Sequence, residues 1–318
     1  MPSYSGVWTL TAQYQAQGAG NWPSPPAIGL FGGGAYPSLT NVISSVTIAT
    51  SGAATDFGDL TQTRGFLAAC ASASRGVWSG GGTGSGTYYN IIDYVSISSA
   101  GNATDFGDLA QQMQWQAGCS DSTRGLFGAG NNNVGTNQSV IYYITIASTG
   151  NSTTFGNLTL ARSSQPAAFS SSTRGVWAGG YAGAYSNVID YVTIQTTGNA
   201  TDFGDLLAGA SGVAGCASST RGLIAGGYTG AFSNVIQYVT IATTGNAIDF
   251  GDLTSVRDGL ASCSSKTIGL FAGGSDSTQS VSNINYVTIA TTGNAISFGN
   301  LTAATESFAG CSNSHGGL

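Results

Sequence analysis

The sequence predicts an all-β fold, a six-bladed β-propeller with four antiparallel strands per blade. A Phe-Gly step recurs at Phe57, Phe106, Phe155, Phe203, Phe250 and Phe298, at spacings of 49, 49, 48, 47 and 48 residues. Between these steps lie short apolar runs and glycine turns, and such a unit repeated at this period points to a propeller. Helical periodicity is absent from the repeats.

The copy from Arg174 to Leu206 shows the unit, and its neighbours complete the strand set. The first strand is small and apolar, as in Gly259 to Ser264. The second ends in glycines, as in Gly222 to Gly227. The third carries apolar and β-branched residues, as in Asn187 to Ile194, and the fourth is the short Asp202 to Leu206. Turn-formers separate them: Ser-Ser-Thr-Arg-Gly after the first strand, Thr-Thr-Gly-Asn-Ala after the third. A lone blade cannot bury both its faces, so six stack radially.

The two ends of the chain complement each other. The first copy opens at a second strand, Gly29 to Gly34, because Trp22-Pro-Ser-Pro-Pro26 cannot serve as an interior strand. At the other end Ser307 to Ser312 is a complete first strand, and the chain stops at Leu318 where the next second strand would begin. One composite blade is expected, with its innermost strand from Ser307 to Ser312 and its outer three from residues 27–60. Closure of this kind removes open sheet edges.

The division expected is a short arm, 1–26, and a propeller, 27–318. The arm carries Trp8, Leu10, Tyr14 and Trp22 and no charged residue. It is too short to fold alone, so its aromatics need a surface, and the proline-rich end is a stiff spacer. Docking on another protein or a neighbouring copy is the expectation; the alternative is packing against its own propeller.

Composition excludes several classes. Charged residues make up 7% of the 318, and 14 acids outnumber eight bases for a net charge of −6. Nucleic acid, which needs a basic surface, is not an expected partner. No basic and apolar leader marks the start, and no run reaches the ~18 apolar residues of a membrane span, so no membrane insertion is expected. Five cysteines with no close-spaced pair suggest neither a disulfide framework nor a zinc pattern.

Some residues invite chemistry. Cys70, Cys119, Cys216, Cys263 and Cys311 share one repeat position, with Phe169 in the sixth copy. A thiol ring around the channel could take a soft metal, but Phe at the same position argues for packing. His315 is the single histidine and lacks visible partners for a metal site or a nucleophile. Asp56, Asp105, Asp202 and Asp249 recur in frame with Phe-Gly, as do Asp59, Asp108, Asp205 and Asp252. Paired acids serve glycosidases, yet an active site needs acids that differ between blades. These are expected to cap turns and pair with Arg75, Arg124, Arg174, Arg221 and Lys266. No catalytic residue, metal or cofactor is assigned. Asn-X-Ser/Thr triplets, as at Asn102, Asn151 and Asn199, are expected to be turn chemistry.

The loops between second and third strands vary while the strands repeat. Loops on a rigid scaffold are where binding usually resides. Tyr36, Tyr88, Tyr89, Tyr181, Tyr185, Tyr228 and Phe232 lie in them and are the candidate binding residues, able to stack on sugars or anchor a protein. The alternative is that they cover blade edges or close the channel mouth.

The glycine doublets Gly80-Gly81, Gly179-Gly180, Gly226-Gly227 and Gly273-Gly274, the tyrosines Tyr94, Tyr143, Tyr191, Tyr238 and Tyr286, and Arg64, Arg162 and Arg257 resemble the kelch family of β-propellers. Departures are Phe for the fourth-strand Trp, Ala129 breaking one doublet, and Ser45 at a tyrosine position. The wording of Tyr191 to Leu206 and Tyr238 to Leu253, and the opening Gly6 to Gln17 with Asn21-Trp22-Pro23, resemble virion structural proteins of tailed bacteriophages, especially marine ones. That resemblance implies a non-enzymatic virion component, a fibre, knob or head decoration, assembled in the bacterial host cytoplasm. Its partners would be other virion proteins, copies of itself, or a host surface glycan or receptor. The alternatives are a lectin-like carbohydrate-recognition module and a glycan-cleaving enzyme.

Overall fold

The computed structural model describes residues 25–318, all β, with no helix among them. Trp8, Leu10, Tyr14 and Trp22 lie outside the described residues. Six antiparallel sheets form the six blades, and in each the strands run in order from the axis outward. Blade 1 is composite, as expected. Its innermost strand, Ala309–Ser312, pairs with Ile28–Gly32 in the register Gly29↔Ser312 to Gly32↔Ala309, and Val42–Thr47 and Thr55–Asp59 follow.

Blades 2 to 6 begin at Ala68–Ala71, Ala117–Ser120, Ala167–Ser170, Ala214–Ala217 and Ala261–Ser264. The first-to-second and third-to-fourth turns therefore lie on one face of the ring. The second-to-third and fourth-to-first connections lie on the other, the loop face. On that face the outermost strand of blade 2, Thr104–Gln114, is long enough to pair with Asn131–Asn132 of blade 3.

The core is radial. Six buried apolar clusters occupy the six interfaces between neighbouring blades, such as Leu30, Ile43 and Phe57 of blade 1 against Leu67, Trp78 and Val95 of blade 2. Full burial of one such side chain contributes about 1.5–3 kcal/mol. The period-2 pattern follows, because each strand presents one side to the blade before and one to the blade after.

The recurrent Phe-Gly step has a specific cause. In blade 2 the glycine, Gly107, sits at a register shift between third and fourth strands with φ of 143°, and a Cβ there would stand 2.5 Å from Gly150 O of blade 3. Only glycine admits that approach. The next blade's turn then docks, with Gly150 N–H on Phe106 O and Asn151 Oδ1 accepting from Asp108 N–H. Asn102, Asn199, Asn246 and Asn294 accept the equivalent bond at other interfaces. These asparagines are turn residues, as expected, and they also lace one blade to the preceding one.

The expected pairing of the repeating bases with the acids does not occur. Arg75, Arg124, Arg174 and Arg221 stack over Tyr94, Tyr143, Tyr191 and Tyr238 at 4.3–4.6 Å and donate to carbonyls of the next blade, Ile146, Ile194, Ile241 and Ile289. The acids sit on outermost strands while these arginines sit at second-strand starts, so a tyrosine face is the nearer partner. The ion pairs are made by two of the other three arginines. Arg64 meets Asp93 at 2.7 Å and Arg162 meets Asp190 at 2.8 Å, all four fully buried.

Nor does the chain simply stop after its last strand. Residues 313–318 turn into the central channel. Asn313 clamps the seam by accepting from Ile28 N–H and donating to Pro26 O. Gly316 N–H then bonds Ala217 O, and His315 Nε2 donates to Ala71 O while Nδ1 accepts from Gly317 N–H. Innermost strands leave unpaired carbonyls at the axis, and Ser120, Ser170, Ser264 and Ser312 each donate a hydroxyl to the preceding blade's carbonyl. Blades 2 and 5 carry Ala71 and Ala217 at that position, and their carbonyls, already accepting from Ser120 and Ser264, accept a second bond from the tail.

Candidate functional loop face

On the loop face each variable loop is a small hairpin docked on the preceding connection. In blade 4 Tyr181 faces Tyr185 across such a hairpin, and in blade 5 Tyr228 faces Phe232. Gly183 (φ 89°) and Gly230 (φ 104°) let the tips turn. The hairpins bring all four rings into one ladder of edge-to-face contacts: Tyr181–Tyr185 at 5.6 Å, Tyr185–Tyr228 at 5.6 Å and Tyr228–Phe232 at 5.3 Å. The middle contact crosses between blades. Tyr181 and Tyr185 keep 39% of their surface exposed, too much for rings whose task is core packing.

Tyr36 belongs to a second group. Half-exposed, it meets Phe66 edge-on at 6.3 Å, and Phe66 packs on Trp115 at 4.1 Å. Tyr88 and Tyr89 join neither group; they are partly buried at the start of a third strand, Tyr88 bridging Gly82. Phe66 and Trp115 were not among the sequence candidates. Their signal is a departure from the repeat, since Gly212 and Gly259 occupy the same position in blades 5 and 6.

A belt of backbone bonds fixes that position around the channel mouth. Gly212 N–H donates to Ser164 O, Gly259 to Gly212, Ser307 to Gly259, Phe66 to Ser307 and Trp115 to Phe66. Every residue in it is left-handed, with φ between 57° and 63°. That conformation costs a non-glycine residue about 1 kcal/mol or more. The belt holds Phe66 and Trp115 in it nonetheless, with the Phe66 ring buried beneath the Gly84 loop tip and Trp115 partly buried beside it. Between Trp115 and Ser164 the belt is open, where blade 4 has two residues, Gln165-Pro166, in place of the single residue of the other blades.

Two further residues break the repeat beside the belt. Asp258 and Glu306 stand where the other blades have Gly65, Gln114, Ser163 and Ser211. Burial, then the neighbouring Glu306 carboxylate, pushes the Asp258 carboxyl up to about 6. Ser280 Oγ donates to Glu306 Oε2 at 3.3 Å. By contrast the eight acids in frame with Phe-Gly sit on the outermost strands, spread round the perimeter at equivalent places, and do not converge.

The five cysteines are buried on innermost strands and face the next blade. Burial pushes Cys216 and Cys311 up to about 12, and Cys70, Cys119 and Cys263 are raised as well. Metal binding needs the thiolate, which this surrounding disfavours. Among the described residues no group of three or more His, Cys, Asp or Glu is placed to hold a metal. His315 is half-buried, its pKa lowered by burial, and bonded within the channel as the neutral tautomer. No family model matches the chain, and no curated protein matches it.

Proposed function

We propose that the protein is a non-catalytic recognition propeller of a tailed-phage virion, a fibre, knob or head-decoration component that meets its ligand through the loop face. The wording of the repeats supports the virion setting. The observation that carries recognition is the ladder Tyr181–Tyr185–Tyr228–Phe232, built from variable loops on an otherwise repeating frame. Exposed, mutually braced aromatics supply contact area at low conformational cost, the property of binding hot spots.

The test is replacement of the four rings by alanine in the full chain, with attachment to host cells as readout. Binding should weaken by about 2–4 kcal/mol while the melting temperature changes little. Unaltered attachment would return the ladder to a structural role.

A further inference from the structure

The loop face is one-sided in charge. All eight bases are accounted for elsewhere: Arg64, Arg162 and Arg257 are fully buried between blades, and Arg75, Arg124, Arg174, Arg221 and Lys266 lie at first-to-second turns on the opposite face. Residues 1–24 contain no lysine or arginine. Three acids remain on the loop face, Asp258, Asp276 and Glu306, and none of them makes an ion pair among the described residues; Arg257, next to Asp258 in sequence, is fully buried and bonded to Gly273 O and Asn285.

These acids lie between the two aromatic groups. Ser211 bridges Tyr228 of the ladder, and Asp258 lies over the adjacent Gly212, its Oδ2 3.4 Å from where a Cβ would be. Glu306 lies over Gly259 in the same way, its Cβ 3.7 Å from that position, and bridges Tyr36. Ladder, carboxylates and the exposed Tyr36, backed by the buried Phe66 and by Trp115, thus form one arc around the channel mouth. Glycines at 212 and 259 place no side chain against the two acids there, and both acids stay partly exposed.

We propose that this arc is the docking surface for a cationic protein segment, a chain presenting lysine or arginine side chains. The proposal rests on the recognition reading above and names its partner. Aromatic faces and carboxylates both attract ammonium and guanidinium groups, and a surface of one sign selects its complement. A neutral sugar would stack on the rings and donate hydroxyls to the carboxylates but leave their charge uncompensated.

The test uses the full chain and a fluorescein-labelled peptide of alternating lysine and glycine, read by anisotropy, with the glutamate-for-lysine peptide beside it. The lysine peptide should bind and the glutamate peptide should not. Asp258→Asn with Glu306→Gln should weaken binding about tenfold, whereas Asp56→Asn with Asp59→Asn, removing the same charge from the perimeter, should leave it unchanged. Added salt should weaken the wild type, a readout independent of any variant's folding. No binding of the lysine peptide, or equal losses from the two double variants, overturns the proposal. If it falls while the alanine ladder still loses host attachment, the recognition reading stands with a neutral ligand. If attachment is also unaltered, both readings fall.

Discussion

Cys263 Sγ of blade 6 lies over Gly29 of blade 1, so close that a Cβ on Gly29 would stand 2.5 Å from the sulfur. The relationship recurs round the ring: Cys311 over Gly76, Cys70 over Gly125, Cys119 over Gly175, Cys216 over Gly269, with Phe169 filling the place over Gly222. Each sulfur fits because the second residue of the next blade's second strand is glycine. Gly29→Ala should destabilise the protein by about 1–3 kcal/mol through overpacking. Gly52→Ala, where nothing lies within 4 Å, should be near neutral. Denaturant midpoints compare the two, and the thiols should label rapidly only once the chain unfolds.

The tail in the channel gives a pH dependence. His315 must be neutral for Nδ1 to accept from Gly317, and burial lowers its pKa. A histidine with folded pKa below its unfolded value of about 6.5 contributes stability above that value, which is lost as pH falls below it. Removing Ser307 to Leu318 should cost several kcal/mol, since a whole innermost strand leaves the ring. His315→Ala should lower stability at neutral pH and flatten its fall below about pH 6. Unfolding midpoints across pH check both, and an unchanged slope in the variant would contradict the role of His315.

The buried ion pairs predict a graded series. Asp93 takes Arg64 at 2.7 Å, and in blade 6 Asn285 does the same for Arg257 at 2.6 Å. Burial lowers Arg257 to about 10, with no carboxylate beside it to restore the charge. Asp93→Asn should therefore cost only about 1 kcal/mol, whereas Asp93→Ala, which strands a buried guanidinium, should cost about 3–5 kcal/mol. Thermal unfolding of the two variants decides this; equal losses would refute the substitution logic drawn from blade 6.

Asp258 behaves oppositely to His315. Its folded pKa of about 6 lies above its ordinary value of 3.8, so folding favours the protonated form and stability falls as pH rises between the two. Asp258→Asn should stabilise the protein at neutral pH by about 1–2 kcal/mol after solvent screening and have little effect near pH 4. Midpoints of the variant and the wild type at both values test it. A variant less stable at neutral pH would show the carboxylate to be structurally required.

The ring can be read from the residues alone: six units from the Phe-Gly period, four strands per blade, and a composite blade from a missing first strand at one end and a spare one at the other. These are legible because a repeat multiplies each local signal, turn chemistry and period-2 burial alike. The candidate rings Tyr181, Tyr185, Tyr228 and Phe232 were legible too, as aromatics in loops that vary. That they form one ladder emerges from the assembled ring, since the Tyr185–Tyr228 contact joins residues of different blades. The assembled ring also decides the arginine partners, the course of residues 313–318, and the places of Phe66, Trp115, Asp258 and Glu306. Those depend on which backbones meet at the axis, a distance no local pattern encodes.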